Sequence, residues 1–214
     1  MKPLKTELQD AETLRDLGSA SVQIVHDLKN QLNGLKLYAT FLRKRLEKAE
    51  RPADELETIA KLISGLERAA GDMNVLVRFG RTLELRRQPG TDLARLVAES
   101  AEGAEVETDG GTYEGDFDPA LLGEALKGIG AGAWGEAGAA VGGEGAAARV
   151  RLRCEGGEAV VEWVGASDAG GDPFRDLAGA AGLRMALAAK IVRAHGGDVS
   201  HDGGLISARL PLQK

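Results

Sequence analysis

Three residues near the N-terminus combine side chains that suit nucleophilic chemistry on an imidazole. His26 and Asp27 are adjacent, and Asn30 follows His26 by four residues. A neighbouring carboxylate can hold one ring nitrogen as N–H, which leaves the other nitrogen free to act as a nucleophile. An exposed histidine in a charged helix is the alternative interpretation, and in an arbitrary protein it is the more common one.

A long amphipathic helix is predicted to carry these residues. The stretch 7–50 contains no proline, and its apolar or small residues recur every three or four positions, which is the period of an α-helix. The positions of this seam are Leu17, Ser21, Ile24, Leu28, Leu32, Leu35, Ala39, Leu42 and Leu46. At about 100° per residue His26 lies roughly 200° from Ile24 and points away from the seam, whereas Asn30 and Asn33 fall within about 40° of His26.

A second helix is predicted after Pro52, with Asp54 as its N-cap and Gly80 near its end. Its apolar positions also step by three and four, and they are Leu56, Ile59, Ile63, Leu66, Ala70, Met73 and Val77. Two seamed helices with a short connection form an antiparallel hairpin. Because a lone hairpin cannot cover both seams, we expect two copies to form a homodimer with a four-helix bundle.

The pattern changes to mixed α/β after Gly80, so the sequence predicts two domains, 1–81 and 82–214, in an α+β chain. The predicted strands are Thr82–Arg87, Glu105–Thr108, Thr112–Phe117, Arg149–Cys154, Glu158–Gly165, Asp198–His201 and Leu205–Leu210. The predicted helices run from the Asp92 cap to Ser100, from Asp118-Pro119 to Trp134, and over Ala180–His195. A mixed sheet under three helices accounts for this order.

Composition excludes several classes of function. The net charge of −6 argues against general nucleic-acid binding, although the charge is uneven: residues 1–88 carry 16 basic and 13 acidic side chains (+3), and residues 89–214 carry 11 and 20 (−9). No apolar run reaches membrane-spanning length and there is no signal-peptide core, so we expect a cytoplasmic protein without a membrane segment. The single Cys154 excludes an internal disulfide and is expected to be a packed, inert thiol. The three scattered histidines and one cysteine make no metal site by spacing.

The run Val25-His26-Asp27-Leu28-Lys29-Asn30 resembles the phosphoacceptor box of two-component histidine kinases, which reads His, an acidic residue, two variable residues, then Asn or Thr. The resemblance implies that His26 is the phosphoacceptor on the first helix of a dimerising hairpin. It implies that Asp27 is the base and orients the ring, and that Asn30 positions water or the phosphoryl group. Gln31 stands where many members have proline, which predicts a weaker helix kink.

The second domain is similar to the GHKL-like ATP-binding domain of histidine kinases, an α/β sandwich. The matching residues are Asp118-Pro119-Ala120-Leu121-Leu122, Ile191-Val192-Arg193-Ala194-His195-Gly196-Gly197 and Ala208-Arg209-Leu210-Pro211. The resemblance therefore covers almost the whole chain. It implies a structural role for His195, whereas His201 is expected in a solvated polar turn.

The residues that bind nucleotide in that family do not carry over. Counting from Asp118, the two asparagine positions of the Mg²⁺ site fall on Gly128 and Gly132, which offer no oxygen ligand. The adenine-reading aspartate position falls on Gly165, with Asp168 the nearest substitute, and Arg184 interrupts the glycine turn that cradles phosphate. Arg184 could instead hold a phosphate directly. We therefore expect no cofactor bound by this chain, and Mg²⁺ only in a partner response regulator.

Three functions follow from these observations. The first is a histidine phosphotransferase, similar to the dimeric ones of bacterial phosphorelays, in which His26 shuttles a phosphoryl group between response-regulator aspartates without ATP. The second is an active soluble histidine kinase with an atypical ATP site. The third is a non-catalytic module, or a phosphatase, that binds a response-regulator receiver domain. In each case Asn30, Asn33 and Leu37 are the candidate contacts to the regulator. The alternative for Leu37 is a place in the core of the helical bundle.

Overall fold

A computed structural model describes residues 25, 28–46, 53–101, 103–135, 148–166, 171–175, 177 and 179–213. Contacts divide the chain into two compact units, Met1–Thr82 (unit 1) and Leu83–Lys214 (unit 2). Among the helices of the described residues, none is long and apolar enough to cross a membrane.

The described part of unit 1 contains two helices, α1 at residues 28–46 and α2 at Ala53–Gly80. Lys36 on α1 forms a 2.7 Å ion pair with Glu67 on α2. Both residues lie a few turns from the segment between the helices, as an antiparallel arrangement requires. The small side chain of Ala39 is buried, and so are Ile63 and Val77 of the α2 seam. The described part of the predicted hairpin is therefore helical where the seam periodicity places it.

The residues of unit 2 that the structure describes form a five-stranded mixed sheet, a separate two-stranded sheet and three helices. The elements are β1 (Gln88–Asp92), α3 (Leu93–Ser100), β2 (Glu105–Thr108), β3 (Glu114–Phe117), α4 (Pro119–Trp134), β4 (Arg149–Glu155), β5 (Glu158–Val164), α5 (Gly179–Ala194), β6 (Asp198–Asp202) and β7 (Leu205–Pro211). The large sheet has the order β2-β4-β5-β7-β6, in which only the β2–β4 pair is parallel. The strands β1 and β3 pair antiparallel with each other.

The core of unit 2 follows from two-residue alternation along the strands. In β4 the apolar Val150 and Leu152 are buried, whereas Arg149 and Arg151 point to the opposite face and pair with Glu107 of β2. Helix residues such as Leu122, Leu126, Ile129, Ile191 and Val192 are also fully buried. One sheet face therefore belongs to the apolar core, and charged pairs occupy the other.

The prediction of a strand at Thr82–Arg87 is wrong. These residues are irregular, and the first strand is instead Gln88–Asp92, despite its proline and glycine. The register of β1 against β3 shifts between Gln88 and Thr91, so Pro89 and Gly90 lie in a bulge, where a missing N–H and a positive φ are tolerated. The backbone N–H of Arg86 is also engaged outside any sheet, since it donates to Asp118.

Asp118 joins three segments of unit 2. Its carboxylate caps α4 by accepting from the N–H groups of Ala120 and Leu121, at 3.1 and 3.0 Å. The same carboxylate accepts the N–H of Arg86 at 2.8 Å. The N–H of Asp118 donates to Nε2 of His195 at 3.0 Å. Burial acts to raise the pKa of Asp118, but these backbone hydrogen bonds outweigh it, and the pKa is lowered.

Replacing Asp118 should therefore cost more than removing an ordinary helix cap. We expect Asp118→Ala to lower the free energy of unfolding by at least about 2 kcal/mol, because it removes the cap and leaves the Arg86 N–H without its acceptor. The matched control is Asp92→Ala, which removes the cap of α3 from an exposed position and should cost about 1 kcal/mol. Urea denaturation followed by circular dichroism measures both. Equal costs for the two variants would contradict this role of Asp118.

Candidate functional site

Of the three residues predicted to carry chemistry, the structure describes only Asn30, in the first turns of α1. His26 and Asp27 are outside the described residues, so the structure places only their neighbours. Asn30 and Asn33 are exposed on α1, and Leu37 has 54% of its surface exposed. By helical geometry these three side chains fall within an arc of about 60°. The structure thus presents two amides and one leucine along a single outer stripe of α1.

Two exposed aromatic residues extend this stripe, and neither was among the predicted site residues. Phe41 lies one turn beyond Leu37 and is 58% exposed, and Tyr38 is 67% exposed. The spacing of four between Leu37 and Phe41 places both on the same side of the helix. The sequence alone could have predicted that both aromatic residues are exposed, because neither lies in the seam of the first helix. Together Leu37, Tyr38 and Phe41 form an apolar surface, here called the outer patch.

A second apolar surface lies along the helical seam. Leu28, Leu35 and Leu42 of α1 are 42%, 54% and 53% exposed, and Leu62 of α2 is 53% exposed. Around the helix, Leu35 and Leu42 lie roughly 140° on average from Leu37 and Asn30, and Tyr38 lies between the two surfaces, within about 60° of both leucines. A single hairpin therefore leaves part of its own seam in water, which is an unusual arrangement for leucines in a row.

The two glycines at the expected Mg²⁺ positions lie in α4, which remains helical through Trp134. At Gly132 a Cβ atom would lie 2.2 Å from Sδ of Met185 on α5. At Gly128 a Cβ atom would meet Ala188 at 3.8 Å, which is ordinary contact. The Met185 side chain is buried, with 2% of the residue's surface exposed. The space next to residue 132 is thus filled by a methionine side chain, and neither glycine offers an oxygen to a cation.

The other positions at which the resemblance places nucleotide contacts are Gly165, Asp168 and Arg184. Gly165 has a φ of +78° and ends β5 in a turn, with no side chain to contact a base. Arg184 is half-buried in α5. Asp168, the nearest substitute for the base-reading residue, lies outside the described residues. Among the described residues, no cluster of three His, Cys, Asp or Glu side chains could hold a metal ion.

His195 has the structural role that the sequence predicts. It is 1% exposed, and its Nδ1 is 2.8 Å from the carbonyl of Ile191 while its Nε2 accepts the N–H of Asp118. Both ring nitrogens are therefore occupied, which leaves none for catalysis. Burial lowers the pKa of His195, and a weaker contribution comes from the charge of Arg87.

Two further expectations about polar residues are wrong. His201 lies in the strand β6 and is half-buried instead of solvated in a turn. Cys154 is exposed and not packed, because it comes near the end of β4, where its N–H donates to the carboxylate of Asp109.

The packing between α4 and α5 allows a direct test of why residue 132 is glycine. Gly132→Ala should destabilise the protein by about 1–3 kcal/mol, because the new methyl group displaces the buried Met185 side chain. Gly128→Ala is the matched control, and it should stabilise the protein by about 0.5–1 kcal/mol through helix propensity, since that site has room. Differential scanning calorimetry of both variants, and of Gly132→Ala combined with Met185→Ala, measures the effect. Equal stability of the two single variants would contradict it.

The comparisons with known proteins identify the fold. No family model matches the chain, and a search of the curated proteins gave no match. The structure of full-length ShkA in complex with AMPPNP matches 88% of this chain and 44% of ShkA, at 19% identity and a TM-score of 0.63. The histidine kinase ThkA, in complex with the response regulator protein TrrA, matches over 98% of this chain and 66% of that chain, at 15% identity and a TM-score of 0.55. The chain thus spans less than half the length of ShkA, and its fold is similar to that of histidine kinases.

Proposed function

We propose that this protein is a histidine phosphotransferase. His26 accepts a phosphoryl group from the aspartate of one response-regulator receiver domain and passes it to the aspartate of another. Asp27 holds the imidazole in the reactive tautomer, and Asn30 positions the phosphoryl group. The chain acts as a homodimer whose hairpins form a four-helix bundle, and the Mg²⁺ needed for transfer is supplied by the receiver domain.

The chemistry of this step requires little from the chain beyond position. A free ring nitrogen of neutral His26 attacks the phosphorus of the aspartyl phosphate, the N–P bond forms, the O–P bond breaks, and the aspartate leaves as a carboxylate. The reverse step returns the phosphoryl group to a different aspartate. Since the donor is already an activated acyl phosphate, transfer does not need a nucleotide on this chain.

The filled space beside Gly132 is the observation that favours a phosphotransferase over a kinase. A kinase must bring the γ-phosphate of ATP to the histidine with metal and phosphate ligands in place. Here the positions that correspond to the metal ligands are glycines, and Met185 packs against one of them. The Mg²⁺–nucleotide of a kinase therefore does not fit these residues.

The outer stripe supports the choice of a receiver domain as partner. A small apolar surface beside exposed amides suits a protein contact, since it combines an apolar anchor with hydrogen-bonding groups. The similarity in fold to ThkA, a histidine kinase solved in complex with a response regulator protein, also supports a receiver domain as the partner. The outer patch around Leu37 is thus the proposed docking surface, next to the position of His26 in the sequence.

An autophosphorylating histidine kinase is the second candidate. The likeness to ShkA, which was solved in complex with AMPPNP, favours it, and this likeness has the higher TM-score of the two. In that case Arg184 would hold the phosphates, and a metal would have to be held by residues other than Gly128 and Gly132. A third candidate, a regulator-binding module or phosphatase without stable phosphohistidine, depends on the same docking surface and on Asn30.

A phosphotransfer assay separates these functions. Wild-type protein should remove the label from a radiolabelled phospho-regulator and become labelled on His26, whereas labelled Mg-ATP should leave it unlabelled. His26→Gln should reduce transfer by at least about a thousandfold, because the nucleophile is lost, while its melting temperature stays the same. His201→Gln is the matched control, and it should transfer like the wild type.

Other outcomes of this assay support the other candidates. Labelling of His26 by Mg-ATP would reject the phosphotransferase hypothesis and favour the kinase. Binding of the phospho-regulator without transfer of label would favour the binding module, and release of inorganic phosphate without a labelled intermediate would favour the phosphatase.

The two apolar surfaces of the hairpin predict opposite effects for a matched pair of variants. Leu35 and Leu37 are each 54% exposed, but Leu35 lies on the seam and Leu37 on the outer patch. Leu35→Glu should convert the dimer to monomer at micromolar concentration, because a buried seam would then contain an unpaired carboxylate. Leu37→Glu should leave the dimer intact and weaken regulator binding by at least about tenfold.

Analytical ultracentrifugation measures the first effect, and titration calorimetry with the regulator measures the second. If the wild type sediments as a monomer, or if both variants lose regulator binding equally while remaining dimeric, the proposed assignment of the two surfaces is incorrect.

A further inference from the structure

Asp118 and His195 are joined by a buried hydrogen bond from the backbone N–H of Asp118 to Nε2 of the imidazole. His195 follows the last residue of α5, and its ring packs near Phe117 with 6.0 Å between ring centroids. Nδ1 can only donate to the carbonyl of Ile191, so that nitrogen carries the hydrogen. Nε2 accepts the N–H of Asp118 and therefore carries none. The geometry fixes one neutral tautomer.

The segment that leads out of the hairpin is attached to this same network. The N–H of Arg86 donates to Oδ2 of Asp118 at 2.8 Å. The guanidinium of Arg87 donates to the carbonyl of Ala194, the residue before His195, at 2.9 Å. Leu83 and Leu85 are half-buried, whereas Arg86 and Arg87 are exposed. The first residues of unit 2 are thus held by polar contacts to Asp118 and to the residue before His195.

Protonation of His195 is incompatible with this arrangement. An added proton on Nε2 would face the N–H of Asp118, so that two donors would oppose each other in a buried site. The charged groups around the ring come from three further segments: Arg87 before β1, Asp116 in β3 and the Asp118 cap. The two carboxylates favour the protonated ring and Arg87 opposes it, but burial is the largest influence.

We propose that His195 is an acid-sensitive latch that holds the segment 83–87 on unit 2. When a proton adds to Nε2, the bond to the Asp118 N–H breaks, the end of α5 moves away from the α4 cap, and Arg86 and Arg87 lose their acceptors. The direction of the pH dependence follows from the lowered pKa of His195 in the latched form. A released His195 binds protons with its ordinary pKa of about 6.5, so below that pH each unit of acidification favours the released form about tenfold, until the pKa of the latched form is reached. Above about pH 6.5 the latch is closed.

This latch is independent of the proposed phosphotransfer. It controls the attachment of the segment that follows the hairpin, and it would act in the same way in a kinase. Its effect is local, because the central strands β5 and β7 carry no titratable group of this network.

Amide hydrogen exchange of the full chain, followed by NMR and corrected for intrinsic rates, tests the latch. In the wild type the protection of the Arg86 amide should fall about tenfold between roughly pH 7.5 and 5.5, while that of Val161 and Ala208 in the central strands stays constant. In His195→Gln, whose side chain cannot gain a proton, the protection of Arg86 should not depend on pH. His201→Gln is the matched control and should behave like the wild type.

Two results would overturn the latch. One is a constant protection of Arg86 across this pH range in the wild type, and the other is a parallel loss at Arg86 and Val161, which would indicate global unfolding. If His195→Gln does not fold, the His195 ring signals are titrated in the wild type. The midpoint of ring protonation must then coincide with the loss of protection at Arg86, and a mismatch between them also rejects the proposal.

Discussion

The hydrogen-bonded group around Asp118 is the interaction on which unit 2 depends. One residue caps α4, accepts from the segment that leaves the hairpin, and donates to the buried His195 at the end of α5. These partners are far apart in sequence, so the contact fixes the ends of two helices and the entry of the chain at a single point. A buried carboxylate is acceptable there because it receives three backbone N–H groups, which compensate for its loss of hydration.

Glycine has a different role in the other contact between α4 and α5. A helix with several glycines loses intrinsic stability relative to alanine, by up to about 1 kcal/mol at each position. At Gly132 the loss is offset by close packing, because Met185 occupies the volume that a side chain would need. Methionine suits this site, since its flexible thioether fills irregular gaps. The position that the resemblance to histidine kinases assigns to a metal ligand is here part of a packed helix interface.

The sequence predicted what depends on local pattern and missed what depends on distant partners. The helix from Pro119 to Trp134 and the strand from Glu105 to Thr108 were predicted with their observed bounds, because a capping aspartate or an alternating run is visible within a few residues. The strand predicted at Thr82–Arg87 was wrong, since the N–H of Arg86 is engaged by a carboxylate 32 positions away. Counting from Asp118 identified Gly132 as a position of interest. It could not show that Met185 packs there, because Met185 belongs to a different helix, α5. The exposed Phe41 could have been found by spacing alone.

The histidines show why burial and hydrogen bonding decide what an imidazole can do. His195 cannot act as a nucleophile in the neutral folded protein, because burial favours its neutral form and its neighbours use both nitrogens. A phosphoryl acceptor needs the opposite: one nitrogen held as N–H and the other open to a large anionic partner. The proposed role of His26 requires that the outer stripe of α1 stays accessible in the proposed dimer. The exposed Asn30 and Asn33 satisfy it, since they face away from the seam that a second copy would cover. Under the proposed function, dimerisation and docking of the regulator would therefore use different sides of one helix, and neither would block the other.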